Sequence, residues 1–158
     1  MEKHRKLGRS SALKLALLIV VVILSINLRT ILFFVTGSSS PIAVVRGYSM
    51  YPLLREGDIV FAYRPEPSHI KEGDIIVYRG VRGNLIIHRV VGVRVVGNAY
   101  YYVTKGDNNP LPDYYEFTGP GNAGIPYDRV EGVVLSINGY TFKIPYIGYL
   151  SIWYHTIG

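Results

Sequence analysis

Residues 42–62 read IAVVRGYSMYPLLREGDIVFA. Ile42, Ala43, Val44 and Val45 form a short apolar, largely β-branched run that predicts a strand. Gly47 follows, able to take backbone angles closed to other residues, and Ser49-Met50 come directly after it. The stretch therefore reads as a strand that ends by presenting a serine. Pro52 denies a backbone donor and restricts Tyr51, so helix is disfavoured here. Arg55-Glu56-Gly57-Asp58 is a turn signal, and Ile59 to Tyr63 a second strand. Alone, Ser49 is a hydroxyl in a β-turn. To act as a nucleophile it needs a base, an acid that holds the base, and donors for an oxyanion.

The 158 residues suit a single domain, with no long charged or Gly/Ser-rich run to mark a second. The absence of cysteine excludes disulfides, thiolate catalysis and Cys-ligated metal, but not an extracytoplasmic location. A net charge of +6 suggests nucleic acid until the charge is located. Lys3, Arg5, Lys6, Arg9 and Lys14 stand against Glu2 alone in the first 14 residues, whereas residues 36–158 hold 11 basic and 10 acidic groups. The basicity is a tail, and no nucleic-acid partner is expected.

That tail, residues 1–14, runs into an apolar segment, 15–35, broken by Asn27 and Arg29. Leu15 to Ile26 rises only about 18 Å as helix, whereas Leu15 to Val35 rises about 31 Å, enough for a hydrocarbon layer of about 30 Å. Arg29 lies in the outer third, where a guanidinium snorkels toward the interface. The Lys/Arg excess on the N-terminal side predicts a cytoplasmic N-terminus and an extracytoplasmic remainder. The competing reading is a cleaved signal peptide with Gly37-Ser38-Ser39-Ser40 as cleavage site, but the apolar length exceeds a usual core of about 7 to 15 residues and favours a retained anchor. Residues 36–41 then form a short linker, and 42–158 the domain it carries.

Beyond the anchor the pattern is β. Gly-Asp-Ile recurs in Arg55-Glu56-Gly57-Asp58-Ile59 and Lys71-Glu72-Gly73-Asp74-Ile75, each a turn feeding an apolar strand. Leu85 to Val96 predicts a strand or bulged strand, Gly97-Asn98 a hairpin turn and Ala99 to Thr104 the return strand. Val130 to Val134 opens a last strand pair that runs through Tyr140 to Ile144. The expected fold is mainly β: a strongly bent antiparallel domain behind one N-terminal transmembrane helix. The aromatic end, Ile144 to Tyr154, is too short to span and reads equally as an edge of the core or a lip against the membrane.

Of the four histidines, His4 lies in the tail, His69 in a Pro/Ser loop and His155 near the terminus, while His88 sits inside the strand Leu85 to Val91. A lone strand histidine is more often structural. Asp107, in the loop Lys105-Gly106-Asp107-Asn108-Asn109-Pro110, and Asp113 six residues on are candidate acids, although loop carboxylates commonly cap or solvate.

Three stretches together resemble one family. Gly47-Tyr48-Ser49-Met50-Tyr51-Pro52 with Glu56-Gly57-Asp58-Ile59-Val60 is similar to the nucleophile box of type I signal peptidases, Ile87-His88-Arg89-Val90-Val91-Gly92 to their base box, and Thr104-Lys105-Gly106-Asp107-Asn108-Asn109 to their acidic box. Bacterial members have Lys where His88 stands, so the likeness is to the archaeal and endoplasmic-reticulum branch. It implies a membrane-bound serine endopeptidase that removes signal peptides after small residues at −1 and −3. Ser49 is then the nucleophile, His88 the base, Asp113 the acid orienting the imidazole and Asp107 a brace for its loop through Lys105 or Arg89. It also implies a substrate groove flanked by the strand before Ser49 (Ile42, Val44, Val45) and the strand before His88 (Ile86).

No metal or organic cofactor is required by this chemistry. The implied partners are signal peptides of secretory preproteins, the lipid bilayer and the translocation machinery, at the cell membrane. Two departures stand out. Bacterial members commonly have a serine hydroxyl as oxyanion donor two residues before the nucleophile, where this sequence has Gly47. Branch members often continue into a second membrane helix, for which a partner or the aromatic end is the expected substitute. The rival readings are a repressor-type self-cleaving protease, which uses Lys as base and lacks an anchor, and a membrane-tethered binding module without catalysis.

Overall fold

The computed structural model describes residues 9–149 and 152–154. Most of the basic tail, with His4, and the end of the aromatic segment, with His155, lie outside the described residues. Helix α1 runs Arg9–Thr36, 28 residues, or about 42 Å. Among the described residues it is the one helix long and apolar enough to cross a membrane. Three of its polar side chains are satisfied internally: Ser25 Oγ, Asn27 Nδ2 and Thr36 Oγ1 donate to the carbonyls of Val21, Ile23 and Leu32 at 2.7–2.8 Å. Back-bonding of this kind lets a helix carry hydroxyl and amide groups through an apolar layer.

The helix ends on Gly37, whose φ of 65° lets its N–H return to Phe33 O at 2.8 Å. The exit is then tied to the domain. Arg64 N–H donates to Thr36 O at 2.8 Å and Ala62 N–H to Pro41 O at 3.0 Å, so residues 36–41 are a bonded seam as well as a spacer.

The domain is built from β1 (Ile42–Val44), β2 (Ile59–Tyr63), β3 (Ile75–Arg79), β4 (Leu85–Val96), β5 (Ala99–Lys105), β6 (Ile125–Pro126), β7 (Val130–Val134), β8 (Ser136–Ile137), β9 (Tyr140–Thr141) and β10 (Lys143–Ile144). All pairings are antiparallel, in the order β1-β2-β7-β3-β4-β5-β6, with β10 also on β2 and β8 with β9 apart. The bend lies in β2, which pairs β1 and β10 through Ile59 to Phe61 and β7 through Ala62 and Tyr63.

Side chains alternate across a strand, so β3 serves both faces of the sheet. Ile75 and Val77 enter a core with Val45, Met50, Leu54 and Val60, while Ile76 and Tyr78 enter a second with Val90, Tyr102, Ile125 and Val130. A strand covered on both faces loses the polar alternation, hence the unbroken Ile75-Ile76-Val77-Tyr78 run. The repeated Gly-Asp-Ile also has a physical reading. Asp58 and Asp74 each use Oδ2 to accept the N–H three residues back, at 3.0 and 2.8 Å, over a glycine with φ of 83° and 96°.

One expectation changes. Val130 to Ile144 does not form a single strand pair: β7 inserts between β2 and β3 in the middle of the sheet, β8 and β9 make a small hairpin, and β10 returns to β2. Gly132 permits the insertion, because a Cβ there would lie 3.0 Å from Tyr63 O and from Ser38 Oγ. Of the aromatic end, Gly148 and Tyr149 pack on Gly57, whereas Tyr146, Trp153 and Tyr154 are exposed.

Lys143 closes this return. Its Nζ donates to Asp58 Oδ2 and to Leu53 O, both at 2.7 Å, while Asp58 is buried and its Oδ1 has no partner among the described residues. Removing the cation strands a buried carboxylate, so Lys143→Met is expected to destabilise the full chain by about 3 kcal/mol. Denaturant unfolding in detergent reads this directly, and a change below about 0.5 kcal/mol would contradict it.

Candidate active site

Ser49 sits in a turn held on both sides. Val45 N–H donates to Asp58 O at 2.8 Å and Gly57 N–H to Val45 O at 3.0 Å, fastening the end of the first strand to the turn before β2. Gly47, at φ 78°, reverses the chain, Tyr51 N–H returns to Tyr48 O at 3.1 Å, and the Met50 side chain is buried in the core. With its neighbour anchored, Ser49 is left half-buried at the surface of a groove of about 980 Å³.

His88 lies on β4, opposite Ile76 of β3, and is 5% exposed. The period of two places Ile86, His88 and Val90 on one face, beside Tyr78 of β3 and Thr104 of β5. Asp113 reaches the same face from the chain after β5, its N–H bonded to Thr104 O at 2.9 Å. Three side chains then meet its Oδ2: His88 Nδ1 at 2.6 Å, Thr104 Oγ1 at 2.7 Å and the Tyr78 hydroxyl at 2.9 Å. Burial, reinforced by the Asp113 charge, pushes the Tyr78 phenol far above its ordinary range, so Tyr78 stays a donor. With Nδ1 engaged by Asp113, Nε2 is the remaining ring nitrogen of His88.

Ser49 and His88 line the same groove, with Ile42, Val44, Val45 and Ile86 among its walls. Among the described residues, two unpaired strand edges flank it. β1 is paired only on its β2 side, and β4 through Leu85 to His88 only on its β3 side, because β5 joins β4 from Arg89 onward. An extended peptide laid between them finds backbone donors and acceptors on either side.

Asp107 is not on the imidazole. It takes Arg89 Nε and Nη2 at 2.8 and 2.7 Å, and Arg89 Nη1 continues to Gly73 O at 2.7 Å, so this acid pins its loop to β4. Lys105 instead caps Asn109 O at 3.0 Å. Spacing alone does not separate the two acids, and the sequence marks neither Tyr78 nor Thr104 as a partner of Asp113. Their only signal is parity with His88, which needs the strand register. His69 closes a short 3-10 turn, Pro67–His69, and does not line the groove. No group of three or more His, Asp or Glu side chains placed to hold a metal occurs among the described residues.

A β domain with a serine and a carboxylate-held histidine in one groove, behind a single apolar helix, defines a membrane-anchored serine endopeptidase. The family model described as "Signal peptidase, peptidase S26" matches residues 12–94, and the chain belongs to that family. It is similar to the protein named signal peptidase complex catalytic subunit SEC11 from three yeasts. Against that of Yarrowia lipolytica it is 34% identical over 122 residues, covering 77% of this chain and 67% of the relative. Against Komagataella phaffii the identity is 36% over 125 residues, covering 75% and 68%. Against Schizosaccharomyces pombe it is 33% over 141 residues, covering 77% and 71%. For a fourth, from Schizophyllum commune, the match covers 66% of the relative, so the chain spans about two thirds of the length of the curated relatives it matches.

The two acids are separable by substitution. Asp113→Asn presents an amide where His88 Nδ1 needs an anion, and kcat is expected to fall roughly 10³-fold or more. Asp107→Asn keeps the imidazole contact but breaks a bidentate pair, and is expected to lower stability by about 1–2 kcal/mol with a smaller loss of turnover. Initial rates and denaturation curves of both variants check this, and an exchange of the two phenotypes would contradict it.

Proposed function

We propose that this chain cleaves signal peptides from exported proteins after small residues at −1 and −3, with Ser49 as nucleophile, His88 as general base and Asp113 as the acid that orients it. The observation that supports this most is the groove wall: Ser49 and His88 share it, and His88 turns its other nitrogen to a buried carboxylate at 2.6 Å. Ser49 Oγ attacks the scissile carbonyl as its proton passes to His88 Nε2, and Asp113 stabilises the imidazolium. Collapse returns that proton to the leaving amine. Water, activated by the same imidazole, then releases the acyl group from Ser49. Asp107 serves the site through Arg89, by fixing the loop.

The substrate enters extended, its backbone bonded to the free edges of β1 and β4. Ile42, Val44, Val45 and Ile86 form the walls, and branched side chains so close to an extended backbone leave room only for small residues at alternate positions. The apolar helix supports a membrane-anchored protein, and the basic N-terminal side a cytoplasmic N-terminus with the domain outside the cell membrane. The relatives are named catalytic subunits of a complex. For this chain we take the partners to be signal peptides, the bilayer and the translocation machinery that delivers the preproteins.

The test is cleavage of a synthetic signal peptide with alanine at −1 and −3 by the full chain in detergent, wild type beside Ser49→Ala. The variant is expected to lose about 10⁴-fold or more, and cleavage at the wild-type rate would overturn the assignment. His88→Lys is expected to be at least about 100-fold slower at neutral pH, because an ammonium facing Asp113 is held in its charged form, useless as a base. A lysine variant as fast as wild type would remove His88 from its role. Absence of cleavage by the wild type itself would favour the binding-module reading.

A further inference from the structure

An oxyanion needs donors aimed at it before reaction begins, and this chain lacks a hydroxyl two residues before Ser49, where Gly47 stands. The donors nearest the nucleophile are the backbone N–H groups of the serine turn. Among the described residues neither the Ser49 nor the Met50 N–H has a hydrogen-bond acceptor in the protein. What fixes their direction lies on the other side of the same peptide planes.

In a trans peptide the C=O and the following N–H point in opposite directions within one rigid plane. The plane carrying Ser49 N–H also carries Tyr48 O, and that oxygen accepts Asn108 Nδ2 at 3.2 Å together with Tyr51 N–H at 3.1 Å. The plane carrying Met50 N–H also carries Ser49 O, and that oxygen accepts the Asn108 backbone N–H at 2.8 Å. One residue thus grips both planes that flank the nucleophile. Close approach is possible because Gly106 has no side chain: a Cβ there would stand 2.7 Å from Ser49 O and 2.8 Å from Asn109 Nδ2. Asp107, between them, is locked to Arg89, so the grip is referred to β4, the strand that carries His88.

We infer that Asn108 is a positioning residue for the oxyanion hole: by holding the carbonyls of Tyr48 and Ser49 toward the 105–109 loop, it turns the Ser49 and Met50 N–H groups to where the scissile carbonyl oxygen becomes an anion. This inference rests on Ser49 being the nucleophile. Its signature is selective, because a group that aims oxyanion donors acts on the tetrahedral state and leaves ground-state binding in the groove untouched.

The experiment compares two probes of one signal-peptide sequence on the full chain in detergent. One is a peptide boronic acid: Ser49 Oγ adds to boron, its proton passing to His88, and the tetrahedral adduct presents an oxygen to the hole. The other has the scissile carbonyl reduced to methylene, so it fills the groove without an oxyanion. Asn108→Ala is expected to lower kcat/KM about 10- to 100-fold and to weaken the boronic acid by the same factor, with the reduced peptide changed less than about twofold. Asn108→Asp, nearly the same size but offering an acceptor to Tyr48 O, is expected to lose at least as much with an unchanged melting temperature. Equal weakening of both probes, or no weakening of either, would overturn the role. Boronic acid binding to Ser49→Ala as tight as to wild type would instead overturn the nucleophile assignment, and the inference with it.

Discussion

One carboxylate oxygen organises the centre of this domain. Oδ2 of Asp113 receives side chains from β3, β4 and β5 within 2.9 Å, at a residue 1% exposed. A buried carboxylate without donors is unfavourable by several kcal/mol, so Tyr78, Thr104 and His88 are as necessary to Asp113 as it is to them. The same bonds that make the charge tolerable inside the sheet fix the imidazole ring and its tautomer. Under the proposed mechanism, stability and function therefore meet in one cluster.

The groove depends on what the sheet leaves unpaired. β4 is long enough to serve β3 with its first half and β5 with its second, leaving Leu85 to His88 with a free edge. β1, at the end of the strand order, leaves another. Free edges invite uncontrolled strand addition, and here they are short and face each other across a cleft. The anchor contributes through its exit, since Thr36 and Pro41 are bonded to Arg64 and Ala62 at the end of β2 and in this way relate the groove to the membrane.

Features governed by local chemistry were legible in the sequence. The apolar span, the Gly47 reversal, the two Gly-Asp-Ile turns and the Gly97-Asn98 hairpin each depend on residues within one window, and each stands where the pattern put it. The spacing from Asp107 to Asp113 left either acid free to meet His88. Family likeness favoured Asp113, and the geometry puts Asp107 on Arg89 instead. Tyr78 was invisible because its role is set by the register of β3 on β4, and nothing in a continuous apolar run marks one hydroxyl as functional. The central place of β7 was equally hidden, since its partners β2 and β3 lie more than 50 residues earlier in the chain. Asn108 read as a turn former by composition, and its contact with the serine turn spans about 60 residues.

Asp113, and not Asp107, holds the His88 imidazole by its Nδ1. Proton NMR of the full chain in detergent, with histidine labelled with nitrogen-15 at Nδ1, observes that proton directly. The expected result is a strongly deshielded, slowly exchanging His88 Nδ1–H resonance that persists in Asp107→Asn and is lost in Asp113→Asn. Its survival in Asp113→Asn, or its loss only in Asp107→Asn, would contradict the arrangement on which the site is built.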